Sequence, residues 1–167
     1  VDVRYAAFDD LGRTDKSIPA ADVGTFSTIE ADSNVKGRYS LHLHLTGTED
    51  QDDPSFLIGN AVSGSPGWGI VQHSSHSVIV DNAVFDAFGA AFAAEDGDET
   101  GVWGSNIAIR SQGADWGEAS AKLQSDVARH DNGRTGDGFF FAGRLVEAED
   151  TVAASTTRGC VWLPRSA

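Results

Sequence analysis

Short apolar runs divided by polar corners recur along the whole chain. The segments Val1–Phe8, Ser40–Leu45, Phe56–Ile58, Gly69–Gln72, Ser77–Val80, Ala83–Phe85, Ala91–Ala94, Asn106–Arg110, Phe139–Ala142, Val152–Ala154 and Cys160–Leu163 all read as strands. Most are rich in Val, Ile, Leu and Phe, as strands of a buried sheet are. Three polar stretches interrupt them, near residues 13–36, 46–54 and 114–135, and within the last Glu118–Arg129 reads as a short helix. We read the three as irregular insertions in a single domain spanning residues 1–167.

The corners repeat. Gly12, Gly37, Gly67, Gly89, Gly113, Gly138 and Gly159 follow one another at intervals of 25, 30, 22, 24, 25 and 21 residues. Asn60, Asn82 and Asn106 each lie seven residues before a glycine of that series. Ala6-Ala7-Phe8-Asp9-Asp10-Leu11-Gly12 echoes Ala83-Val84-Phe85-Asp86-Ala87-Phe88-Gly89. Self-similarity at this period marks a solenoid, in which each turn stacks on the one before. Asparagines repeated at one bend predict a ladder of side-chain amides. Glycines repeated at another predict backbone with positive φ.

The expected fold is all-β, a right-handed parallel β-helix. A β-sandwich, the main alternative, does not explain the shared offset of asparagines and glycines. Residue 1 already sits in an alternating strand, and an open terminal turn exposes apolar side chains and strand edges. The chain therefore reads as a segment of a longer coil that stacks on another polypeptide or a second copy.

Composition and charge narrow the partners. The chain has 167 residues, 40% of them hydrophobic, and a net charge of −13. That charge argues against nucleic acid, whose phosphates need a basic surface. No apolar run approaches the length of a membrane span. The single cysteine, Cys160, lies in an apolar segment and reads as a small buried hydrophobe.

Superimposing the glycines aligns Leu41, Ile70, Phe92, Phe141 and Trp162 in one large apolar column, expected to face inward. Three residues further on lie His44, His73, Glu95 and Arg144. Side chains alternate along a strand, so this odd offset places the second column outside, with His42 on the same face. Neighbouring strands lie about 4.8 Å apart, so two imidazoles and a carboxylate from successive turns can converge. His44, His73 and Glu95 are therefore the candidate ligands of a divalent metal ion, zinc-like or calcium. The same groups can instead serve as a metal-free acid–base site. Arg144 is suited to a sugar carboxylate, which a guanidinium grips at two points. The acidic turn Glu95-Asp96-Gly97-Asp98-Glu99 lacks the spacing of a helix–loop–helix calcium site and reads as solvated. Trp103, Trp116 and Phe140 are candidates for stacking on sugar rings.

Two segments carry a family resemblance. Gly37-Arg38-Tyr39-Ser40-Leu41-His42-Leu43-His44-Leu45 resembles the Gly-Arg-Tyr-Pro-Ile-His-Phe-His-Leu segment of the cell-migration-inducing hyaluronidase family. Phe92-Ala93-Ala94-Glu95-Asp96-Gly97-Asp98-Glu99 resembles that family's Phe-Phe-Thr-Glu-Asp-Gly-x-Glu. The order is the same, and Ser40 replaces the family's proline. The resemblance implies an extracellular or periplasmic β-helix protein that handles acidic polysaccharide. It also implies that His42, His44, Glu95 and Asp96 occupy motif positions. Together the two lines give the expected function, part of a polysaccharide depolymerase or binder with a metal-assisted site on the outer face. There His42 exchanges a proton and Arg144 orients the substrate, while Arg38, Trp103 and Trp116 bind sugar. The alternative is a non-catalytic structural or adhesin coil with a stabilising metal clip.

Overall fold

The structure, a computed structural model, describes residues 1–18, 20, 33–48, 53–113 and 133–162. The expected helix at 118–129, residues 49–52 of the acidic loop and Trp116 lie outside them. Fourteen strands follow in order: β1 (Asp2–Arg4), β2 (Ala7–Asp9), β3 (Leu41–Gly47), β4 (Ser55–Ile58), β5 (Ala61–Ser63), β6 (Ile70–Val80), β7 (Ala83–Phe85), β8 (Phe92–Ala94), β9 (Thr100–Gly104), β10 (Ile107–Ile109), β11 (Asp137–Phe141), β12 (Val146–Glu149), β13 (Val152–Ala154) and β14 (Arg158–Trp162). No helix occurs among the described residues, so none is long and apolar enough to cross a membrane.

Every strand pairing among the described residues is parallel, which excludes the sandwich. The molecule is a right-handed parallel β-helix with three walls. One wall stacks β1, β4, the second half of β6, β9 and β12. The second stacks β2, β5, β7, β10 and β13. The third stacks β3, the first half of β6, β8, β11 and β14. Strand β6 serves two walls because it bends at Ser74, whose φ is 42°. Buried Gln72 holds the bend. Its Nε2 donates to Ser75 O at 2.6 Å and Thr100 O at 2.8 Å, and its Oε1 accepts from Trp103 Nε1 at 2.8 Å.

Inward side chains fill the coil in stacked columns. Leu57, Ile79 and Trp103 come from the first wall, Val62, Val84 and Ala108 from the second, Ile70, Phe92 and Phe139 from the third. The Phe92 and Phe139 rings stack with centroids 5.0 Å apart. A second apolar cluster lies outside the third wall, where Val71, Ala93 and Phe140 are covered by Tyr39 and Trp68. Lys16 Nζ sits 4.4 Å from the centre of the Trp68 ring.

The asparagine ladder is present. Asn60 Nδ2 donates to Asn82 Oδ1 at 3.0 Å, and Asn82 Nδ2 donates to Asn106 Oδ1 at 3.0 Å. The same oxygens accept the backbone N–H of the preceding asparagine. Directly before the ladder runs a column of left-handed residues: Tyr5, Gly59, Asp81, Ser105 and Asp150. The glycine series works differently from expectation. Gly12, Gly37 and Gly113 have positive φ, but Gly67, Gly89, Gly138 and Gly159 do not. At Gly89 the constraint is crowding, since a Cβ there would meet Gly133 O and the Trp68 ring, each at 2.8 Å.

Several register expectations need correction. Phe92 pairs with Phe139 and Phe139 with Cys160, so Phe141 and Trp162 belong two places further on. Gly136, not Gly138, continues the corner series, because Ala91 N donates to Asp137 O across that step. Phe8 stands opposite Val62 and Val62 opposite Val84, which moves the Phe8–Phe85 echo by one residue. Phe8 accordingly packs on the core while Phe85 is exposed. Val1–Phe8 is two strands broken at Tyr5, and β9 and β12 had no apolar run to announce them. Cys160 is exposed, because β14 is the last strand of its wall among the described residues.

Candidate functional site

The outer face of the third wall carries two adjacent columns. Strand register sets His42 beside Val71, Ala93 and Phe140. It sets His44 beside His73, and Glu95 follows at the next turn, where its N–H donates to Gln72 O at 3.0 Å. Ala142 continues this column, since its N–H donates to Ala94 O at 2.9 Å. The expectation that Arg144 shares the column is therefore corrected, for the same two-residue reason as Phe141. Arg144 lies around the corner, in an open groove with His76, Thr100, Leu145 and Glu147.

Three ligand-type atoms converge on this wall. His42 Nε2 is 3.6 Å and His73 Nδ1 is 3.4 Å from Glu95 Oε2, and all three lie within 4.8 Å of one another. The carboxylate expected beneath His44 and His73 thus reaches His73 and, diagonally, His42. His44 stands at the rim. Its ring packs edge-on against His42 and His73, with centroids at 5.1 Å and 4.7 Å, but it adds no atom to the converging group. His42 was expected only as a proton carrier. The signal that could have placed it is the His-x-His spacing, because residues two apart share a face and diagonal neighbours on adjoining strands are within reach of long side chains.

The local electrostatics prepare the three groups differently. Gly37 O lies 2.9 Å from His42 Nδ1. A carbonyl only accepts, so Nδ1 carries the hydrogen and neutral His42 presents the Nε2 lone pair. Burial pushes the His42 pKa below its ordinary value, which favours that neutral form. His73 moves the opposite way, chiefly because the Glu95 carboxylate, 3.4 Å from its Nδ1, favours the charged ring, an effect larger than the cost of partial burial. His42 Nε2 and Glu95 Oε2 are buried and have no hydrogen-bond partner among the described residues. Two such atoms facing each other are costly unless something lies between them.

A divalent ion fits that description. Ligand atoms about 2.0–2.2 Å from a tetrahedral zinc are about 3.3–3.6 Å from one another, the spacing of both imidazole nitrogens from Glu95 Oε2. A neutral imidazole with its other nitrogen fixed by a carbonyl is also the usual form of a metal-binding histidine. Calcium, which takes six or more oxygen ligands, suits two imidazoles poorly.

The expected sugar-binding residues are dispersed. Trp103 is fully buried inside the coil, its ring 4.9 Å from that of Phe141, so it cannot stack on a ligand. Phe140 faces outward but is buried beneath Trp68, with ring centroids 6.1 Å apart. Arg38 is partly buried, its N–H bonded to Thr14 Oγ1 at 2.9 Å and its Nη1 3.5 Å from Ser33 O. The acidic turn after Glu95 is ordered by buried Glu99, which accepts the N–H of Asp96 and of Gly97.

Comparison with known proteins agrees with this architecture. The sequence profile of the family described as CEMIP beta-helix matches residues 27–158, well over half of the chain. Fibrocystin-L of Mus musculus is 34% identical over 93 residues, which is 54% of this chain. Fibrocystin-L of Homo sapiens is 32% identical over 93 residues, again 54% of this chain. In each case the match spans 2% of the relative's own length. No solved structure matches. Parallel three-walled coil, motif segments and profile concur, and the chain belongs to the CEMIP β-helix family.

Proposed function

We propose that this chain is part of an extracellular polysaccharide-active protein and that His42, His73 and Glu95 hold a zinc-like divalent ion on its outer wall. The observation that carries the reading is the convergence of His42 Nε2, His73 Nδ1 and Glu95 Oε2, two of them buried without a hydrogen-bond partner among the described residues. Family membership supports the polysaccharide part, and the geometry supports the ion. His44, exposed at the rim, faces the side from which a ligand arrives.

When bound, such an ion acts as a Lewis acid, polarising an oxygen of the ligand or activating water. The chain's own groups have distinct tasks. The Gly37 carbonyl fixes the His42 ring, and Glu95 draws His73 toward the site. His44 is left to exchange a proton with a ligand at the rim, the role first expected of His42. Around the corner, Arg144 offers a fork of donors to a carboxylate of an acidic sugar. Strand β6 links the two places, carrying His73 before the bend and His76 in the groove after it.

A structural reading is favoured by a separate observation. The three ligand residues come from three successive turns, on β3, on β6 and directly after β8, so an ion here would also clip those turns together. The two readings separate in one experiment. Zinc uptake is measured by calorimetry on the wild type and on Glu95→Gln, with uronic acid polymer turnover followed in parallel. One equivalent of zinc, lost in Glu95→Gln together with turnover, supports the enzyme. Zinc uptake that raises Tm without any turnover supports the clip. No uptake by the wild type sinks the metal site in both readings.

A further inference from the structure

The His73 and Glu95 side chains belong to different turns of the coil, and their separation depends on how the corner after each is held. One buried carboxylate touches both corners. Glu99 Oε1 accepts the N–H of Ser74, the residue after His73, at 3.3 Å, and the N–H of Asp96, the residue after Glu95, at 2.6 Å. Its Oε2 accepts the N–H of Gly97 at 2.7 Å. Glu99 is 2% exposed and forms no ion pair among the described residues. The next turn of the coil does without such a staple. At the equivalent corner one turn later, Ala142 and Gly143 are followed by exposed Arg144, and no carboxylate binds that backbone among the described residues.

We propose that Glu99 is the positioning residue of the metal site, setting the distance between His73 and Glu95 through the backbone that follows each. The inference rests on the reading of His42, His73 and Glu95 as ligands. A carboxylate is the group the site needs, since three backbone donors require an acceptor at both oxygens. Glutamine would turn an N–H₂ toward one of them, leaving that donor buried and opposed.

The test uses Glu99→Gln with two readouts. Zinc affinity is measured by calorimetry, and the ring-nitrogen NMR signals of His42 and His73 are compared in metal-free protein. The side-chain amide signals of Asn60, Asn82 and Asn106 report whether the coil itself is intact. The expected result is zinc binding weakened by about 10- to 100-fold, as for other outer partners of metal ligands. The His73 ring signals should shift while the ladder amides stay in place. Affinity within twofold of wild type, with unshifted ring signals, overturns the proposal. Should wild-type protein take up no zinc, the metal reading fails by itself, and the metal-free ring signals alone decide whether Glu99 positions the pair. If Glu99→Gln loses the ladder signals, Glu99→Asp is read by the same two measurements, since it keeps the charge and withdraws it by one methylene.

Discussion

Two histidines on one wall respond to pH in opposite senses. His42 has its pKa lowered from 6.5 by burial, so the folded protein releases a proton that the unfolded chain keeps. The stability tied to neutral His42 is present above 6.5 and is lost as pH falls through the folded value. His73 has its pKa raised from 6.5, first by the Glu95 carboxylate beside it. The stability of that pair is complete below 6.5 and is lost as pH rises through the folded value. Denaturant unfolding with a chelator present, between about pH 5 and about pH 8, should therefore show the summed contribution greatest near 6.5. Glu95→Gln is expected to remove the alkaline decline, and His42→Phe the acid one. An alkaline decline that persists in Glu95→Gln would show that the pair is not its source. Trp103 gives a second lesson at this scale. An aromatic side chain such as Trp103 is a natural candidate to stack on sugar, yet its neighbour in space, Gln72, supplies the acceptor that lets an indole N–H be buried.

Among the elements, the asparagine ladder is the most sharply specified. Asn82 sits at its centre. Its Nδ2 donates to Asn106 Oδ1, Leu57 O and Val80 O, and its Oδ1 accepts from the backbone and side chain of Asn60. Asn82→Ala leaves several buried groups without partners, each costing about 1–3 kcal/mol. The expected loss is on the order of 3 kcal/mol or more, read as a lower midpoint in equilibrium unfolding; a change under about 1 kcal/mol would mean that water replaces the ladder. The ladder was legible because the bend demands one residue type at one offset. Strand register was less so. On the wall that carries the site, adjoining turns obeyed the glycine spacing from Ile70 to Phe92, then slipped by two at Gly138, because Gly136 and Gly138 both lie at the corner and only Gly136 has the left-handed conformation. An even slip keeps the face, so Phe141 still points inward, but it misplaced Arg144. The one-residue slip at Phe8 exchanged faces outright, as period-two patterning dictates. His42 reaches Glu95 diagonally, from the neighbouring column, which a straight alignment of strands does not show.

For the whole molecule, β6 is the central member. It pairs with β3, β4, β8 and β9, and among the described strands it alone takes part in two walls. Stability in a stacked coil is the sum of each turn and its neighbours, so turns flanked on both sides open last. Amide hydrogen exchange should be slowest for Val71, Ile79 and Trp103 and fastest for β12, β13 and β14, where Val152 is already half exposed. Equal protection along the coil would contradict this order. The same stacking explains how far sequence reasoning reaches. The fold follows from periodicity that any turn reports, whereas the site follows from three particular turns meeting at one height.

The ladder also governs how such a chain can change length. Asn60 and Asn82 are 22 positions apart and occupy equivalent places. Excising one full circuit between them would rejoin a left-handed Gly59 to an asparagine and leave the remaining amides in step, whereas removing a single residue would reverse every face downstream. Within the strands, tolerated changes of length should therefore come as whole laps, other lengths being confined to corners and loops. The lap from 60 to 81 contains His73, so the most conservative shortening of this protein would also erase a member of the cluster on its wall.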